Sequence, residues 1–79
     1  MTQTLILATA SWCGPCRVLK SRLIAEGLND KVTYMDADQT ADFFQKHQIK
    51  GVPRLLVMNN EDVTEIITGT DEIIKRIKQ

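Results

Sequence analysis

The sequence predicts an α/β fold: a mixed four-stranded sheet with helices on both faces, in the order β-α-β-α-β-β-α. Three observations carry this. A β-rich apolar run, Thr4 to Thr9, is followed by apolar residues at helical spacing and then by a second short β-rich run, Val32 to Met35. Strand, helix and strand in that order form a right-handed βαβ unit with parallel strands. Arg54 to Met58 and Val63 to Thr68 flank Asn59-Asn60, a hairpin signal. The last segment is amphipathic, with acidic residues at its start and basic residues at its end, the charge order that suits a helix dipole.

Each element has its own warrant. Thr4 to Thr9 reads as a fully buried strand, because it is apolar without alternation. Ser11 to Cys16 is a turn leading into a helix, with Pro15 in the first turn, where an amide hydrogen is not needed. Val18, Leu19, Leu23 and Ile24 form the helix's apolar stripe, and Gly27 marks its end. A second helix is expected from Thr40 to Lys46, with Thr40 as N-cap and a core anchor in the Phe43-Phe44 pair. The last helix starts near Thr70 and buries Ile73, Ile74 and Ile77.

At 79 residues the chain is expected to be a single domain over 1–79. Ten basic and ten acidic residues cancel, and no basic run offers a phosphate footprint, so nucleic acid is not an expected partner. No apolar stretch is long enough to span a membrane. Met1-Thr2-Gln3-Thr4 has neither the charge nor the apolar run of a signal peptide, so a cytoplasmic location is expected. The expected state is a monomer without a bound cofactor.

The two cysteines, Cys13 and Cys16, are separated by two residues and lie on the strand-to-helix turn. A disulfide at that spacing closes too small a loop to constrain the unfolded chain much. A closed zinc site needs four ligands, and outside the pair His47 is the one good candidate. No metal site is therefore expected, and the pair reads as redox chemistry. His47 itself reads as a surface helix residue.

Trp12-Cys13-Gly14-Pro15-Cys16 resembles the active site of thioredoxins letter for letter. Gly51-Val52-Pro53 followed by Arg54-Leu55-Leu56-Val57 is similar to the family's cis-proline segment, Asp38-Gln39 to the start of the matching loop, and Gly69 to a glycine between last strand and last helix. The chain is thus identified as a member of the thioredoxin superfamily, on a minimal, glutaredoxin-sized frame that begins at the strand leading into the active site. The resemblance implies a protein-disulfide reductase with a redox-active Cys13–Cys16 disulfide. Cys13, at the helix start, would be the exposed, low-pKa nucleophile, and Cys16, more buried, the resolving thiol. Gly14 would let a partner backbone approach, and Pro15 would stiffen the turn. The resemblance also implies a cis Val52–Pro53 bond, with Val52 offering its backbone to an extended partner segment. Trp12, Gly51, Val52, Pro53 and Gly69 would form the partner-binding surface, with the Trp12 ring partly exposed. Arg17 is expected to be a solvated helix residue lending a weak positive field, and Arg54 to add a charge preference.

Two departures bear on mechanism. Thioredoxins usually carry a buried aspartate six residues before the first cysteine, where this chain has Leu7, and its lysine partner falls on Tyr34. The aspartate's role as proton acceptor for the resolving cysteine has no counterpart at that position. The implied partners are disulfide-containing proteins and a recharging flavoenzyme similar to thioredoxin reductase. A glutathione-linked glutaredoxin is the alternative, in which Val52, Thr70 and Asp71 would hold glutathione at a helix N-terminus. A third reading is a non-catalytic binding subunit that uses the Trp12, Val52 and Pro53 face.

Overall fold

The computed structural model describes residues 3–79, so Met1 and Thr2 of the leader reading lie outside it. Strand β1 (Gln3–Thr9) lies inside a four-stranded sheet of order β2-β1-β3-β4. It pairs in parallel with β2 (Thr33–Asp36) and antiparallel with β3 (Arg54–Asn59), which pairs antiparallel with β4 (Asp62–Thr68). The helices are α1 (Gly14–Ala25), α2 (Ala41–Lys46) and α3 (Thr70–Lys78), in the expected order. A 3₁₀ turn at Asn29–Lys31, without a sequence signal, leads into β2.

The side chains of β1 and β3 divide the core into two layers. Leu7 and Leu55, opposite one another in register, pack with Leu19 and Leu23 of α1 and Ile73, Ile74 and Ile77 of α3. Leu56 and Met58 point to the other face, where Ile49 buries and Ile6, Phe43, Phe44 and Val63 pack on them. Helices therefore cover both faces, and Leu55, Leu56, Val57 and Met58 are all buried, which is why β3 reads as an unbroken apolar run. β1 is less enclosed than expected: Leu7 and Ala8 are buried, whereas Gln3 and Thr4 are exposed at its start.

The stripe of α1 also differs from the expectation. Cys16, Leu19 and Leu23 face the sheet, while Val18 and Ile24 are 58% and 57% exposed. Adjacent helical residues point about 100° apart, so a helix burying Leu19 and Leu23 turns both neighbours outward. The helix stops as the sequence indicates. Gly27 is at φ +72°, its N–H donates to Ile24 O at 3.2 Å, and Leu28 N–H reaches back to Leu23 O at 2.8 Å. This double closure needs a left-handed residue after the cap. α2 ends in the same way through Gln48 (φ +57°), with Ile49 N–H donating to Phe44 O at 2.8 Å. That turn sends Ile49 inward and delivers the chain to Gly51-Val52-Pro53.

Thr40 stands at the N-cap of α2, but its hydroxyl donates to Asp36 O at 2.7 Å and leaves the helix amides alone. His47 caps the other end, half-buried, its ring 4.3 Å from that of Phe43.

Candidate functional site

The site forms where the C-terminal end of β1 turns into α1. Cys13 N–H donates to Ala10 O at 3.1 Å, which closes the turn through Ser11 and Trp12. Arg17 sits one turn up the helix and donates from Nη2 to Ser11 O at 2.8 Å, so it braces this turn in addition to carrying charge. Cys13 is the N-cap of α1, with an extended backbone at φ −92° and ψ 108°. Its Sγ takes the place a capping serine or aspartate oxygen would have, and accepts the Cys16 N–H at 3.2 Å. Pro15, in the first turn, has no amide to offer, and the Cys16 N–H is the donor that reaches the Cys13 sulfur.

Cys13 and Cys16 are joined as a disulfide, with their Cα atoms 5.3 Å apart. Both are buried, at 5% and 3% exposure, so the expected contrast between an exposed and a sheltered cysteine is absent in this state. Ala10, Ala37 and Val52 pack around the pair. The Val52 carbonyl oxygen is 3.8 Å from Cys13 Sγ, across 39 positions of sequence, and it supplies cover that no local pattern announces. The Val52–Pro53 bond is cis.

Trp12 is 67% exposed, and its indole N–H donates to Asp38 Oδ1 at 3.2 Å. This tether fixes the ring against the loop after β2. Between them, Trp12, Ala37, Phe44, Ile49, Gly51 and Val52 line a shallow groove of about 220 Å³ beside the disulfide. Phe44 and Ile49 were not among the expected site residues; their apolar character reads equally well as core. Gly51 has the Arg54 guanidinium 3.4 Å from where a Cβ would stand, so Arg54 flanks the proline segment. At Gly14 a Cβ would meet nothing within 4 Å, an open approach next to Cys13.

Gly69 follows Thr68, the register partner of Arg54, which places it at the proline end of the sheet. Its φ of +92° suits glycine. Thr70 and Asp71 open α3, but the Asp71 carboxylate is turned to α1, 3.1 Å from Arg22 Nη1. Among the described residues no group of three or more His, Cys, Asp and Glu side chains is placed to hold a metal ion. No helix among them is long and apolar enough to cross a membrane.

Beneath the site, Leu7 is fully buried and stands directly opposite Tyr34 in the β1–β2 register. The Tyr34 hydroxyl donates to Asn29 Oδ1, the Lys20 ammonium lies 4.9 Å from the ring centre, and burial pushes the phenol's pKa up.

A family model described as Thioredoxin matches residues 1–79. The chain is 33% identical over 66 residues to the thioredoxin of Echinococcus granulosus, covering 80% of this chain and 62% of that one. It is 34% identical over 64 residues to the mitochondrial thioredoxin of Bos taurus, covering 76% and 39%. It thus spans about two fifths to three fifths of the length of these relatives. Among solved structures, Malassezia sympodialis thioredoxin superposes with a TM-score of 0.77 at 22% identity, over 96% of this chain and 72% of that one, a likeness of fold.

Proposed function

This chain belongs to the thioredoxin family, and we propose that it reduces protein disulfides through the Cys13–Cys16 couple. One observation carries the reading: the Cys13 sulfur caps α1 and accepts the Cys16 amide at 3.2 Å. A thiolate is the attacking species in disulfide exchange, and amide donors with a helix N-terminus favour it over the thiol. In the reduced protein Cys13 is the nucleophile. Its thiolate attacks one sulfur of the partner's disulfide, forms a mixed disulfide, and expels the other sulfur as a thiolate. Cys16, one turn into the helix, then attacks Cys13 and releases the reduced partner, regenerating the Cys13–Cys16 disulfide. The two electrons pass from the cysteine pair to the partner.

The partner is held by the surface around the sulfur. An extended segment pairs with the Val52 backbone beside Pro53 and Gly51, as a short added strand, and packs on the exposed Trp12 ring. Gly14 leaves room next to Cys13, and Gly69 lies across the sheet end. The couple works without a bound cofactor, as a monomeric domain over 1–79 in the cytoplasm. A flavoenzyme of the thioredoxin-reductase class recharges it. Glutathione is the alternative reductant; Asp71, which would help hold it, pairs with Arg22 at 3.1 Å on the surface.

The test is an insulin-reduction assay with either NADPH and a thioredoxin reductase or glutathione as the electron source. Turnover is expected with the reductase. Turnover with glutathione alone would make the chain a glutaredoxin in function. Retained partner binding without turnover from either source would make it a binding subunit.

A further inference from the structure

With Leu7 in the core, the disulfide lacks a carboxylate beneath it, yet Cys16 must lose a proton before it can attack Cys13. A second cleft, which Cys16 lines and Trp12 does not, supplies one. It has a volume of about 210 Å³ and is lined by Thr9, Ala10, Cys16, Arg17, Lys20 and Asp36. Asp36 ends β2 directly opposite Thr9 of β1, a register that brings its half-buried carboxylate alongside the first turn of α1. The cleft has room for several waters, each of which occupies about 30 Å³ in the liquid.

We infer that Asp36 is the proton acceptor for the Cys16 thiol in the release step. The inference rests on the disulfide-reductase reading above. Asp36 Oδ1 accepts the Asp38 N–H at 2.8 Å, which fixes the carboxylate at the cleft and leaves Oδ2 to take the proton. The other charged groups facing the cleft are occupied elsewhere. Arg17 is bonded to Ser11 O at 2.8 Å, and Lys20 lies over the Tyr34 ring at 4.9 Å. In the mixed disulfide, the proton moves from Cys16 Sγ to Asp36, directly or through water in the cleft. The Cys16 thiolate then bonds to Cys13 Sγ as the bond from Cys13 to the partner's sulfur breaks. The partner leaves as a thiolate and takes up a proton from Asp36 or from solvent.

A symmetric aromatic disulfide that yields a coloured thiolate separates the two steps. The first thiolate is released when Cys13 is modified, at a rate proportional to reagent concentration. The second is released when Cys16 resolves the adduct, independently of concentration. Asp36→Asn keeps an oxygen for the Asp38 N–H, so the loop is retained. It is expected to leave the first phase within about twofold and to slow the second about a hundredfold or more near neutral pH, the low end of the range for general-base catalysis. The deficit should close in alkali, where Cys16 ionises unaided, and Asp36→Glu should restore much of the rate. Second phases that superimpose for wild type and Asp36→Asn at every pH would overturn the inference. So would a deficit that is the same at every pH, which is the mark of a structural role. Absence of the first phase in the wild-type protein would overturn instead the reductase reading itself.

Discussion

Replacing Leu7 by aspartate restores the residue type that thioredoxins usually carry beneath the active site, and the structure indicates that this chain will not tolerate it. Leu7 is fully buried among Leu19, Leu23, Leu55 and Ile73, and its cross-strand neighbour is Tyr34, not a lysine. Truncating a core leucine costs about 2–5 kcal/mol. A buried carboxyl without a partner adds about 1–3 kcal/mol, and more when ionised. A chain of 79 residues has a total stability of about 4–12 kcal/mol on a per-residue scale. Leu7→Asp should therefore remove most of it. Burial raises the new carboxyl's folded-state pKa above its unfolded value, so the variant is least destabilised below the unfolded pKa and loses stability as pH rises through the folded one. Urea unfolding followed by far-ultraviolet circular dichroism, at pH 5 and pH 8, measures both effects. Trp12 fluorescence is a poor probe because the ring is already exposed. Adding Tyr34→Lys should return about 0.5–3 kcal/mol in a double-mutant cycle. A Leu7→Asp protein as stable as wild type at both pH values would refute this account of the missing carboxylate.

Three further expectations follow from other parts of the molecule. Glu26, at the end of α1, is held below its ordinary pKa chiefly by the hydrogen bond from Lys78 of α3, at 2.8 Å. Its stabilisation is present above the unfolded pKa and fades as pH falls through the folded one, so Glu26→Gln should flatten the acid limb of stability against pH, less so in high salt; an unchanged limb at low salt would contradict the pairing. Gly69→Ala meets no atom within 4 Å, so its cost is that of a positive-φ backbone, about 1–3 kcal/mol by thermal unfolding, and a fully neutral substitution would contradict the turn geometry. Equilibration against glutathione should show a reducing couple, near the roughly −270 mV that resemblance to thioredoxin implies; a value near −180 mV would mark an oxidant or isomerase instead.

Much of the fold could be read from local pattern because the pattern had local causes. The isoleucine stripe of α3, Gly27 as the stop of α1, and the Asn59-Asn60 turn with Asn60 at φ +59° each express a period or a backbone requirement within a few residues. The errors arose where distant chain decides. In α1, Val18 and Ile24 are as apolar as Leu19 and Leu23, and only the position of the sheet selects which pair is buried. Cys13 is covered by Val52, and Trp12 is tethered by Asp38, both contacts far apart in sequence. Thr40 has the residue type of a cap but finds a better acceptor in Asp36 O, and Gln48 takes a left-handed turn that favours glycine. At the site, the motif marked the cysteines and the proline segment, whereas the Asp36 cleft exists only because β2 pairs with β1.

The central claim, that the helix-capping sulfur is the attacking one, is tested most directly by trapping. Cys16→Ser protein, reduced and mixed with insulin, should accumulate a mixed disulfide that proteolysis and mass spectrometry place at Cys13, while Cys13→Ser protein should form none. An adduct through Cys16 in the Cys13→Ser protein, with Cys16→Ser inert, would show that the roles are reversed and that capping of α1 does not select the nucleophile.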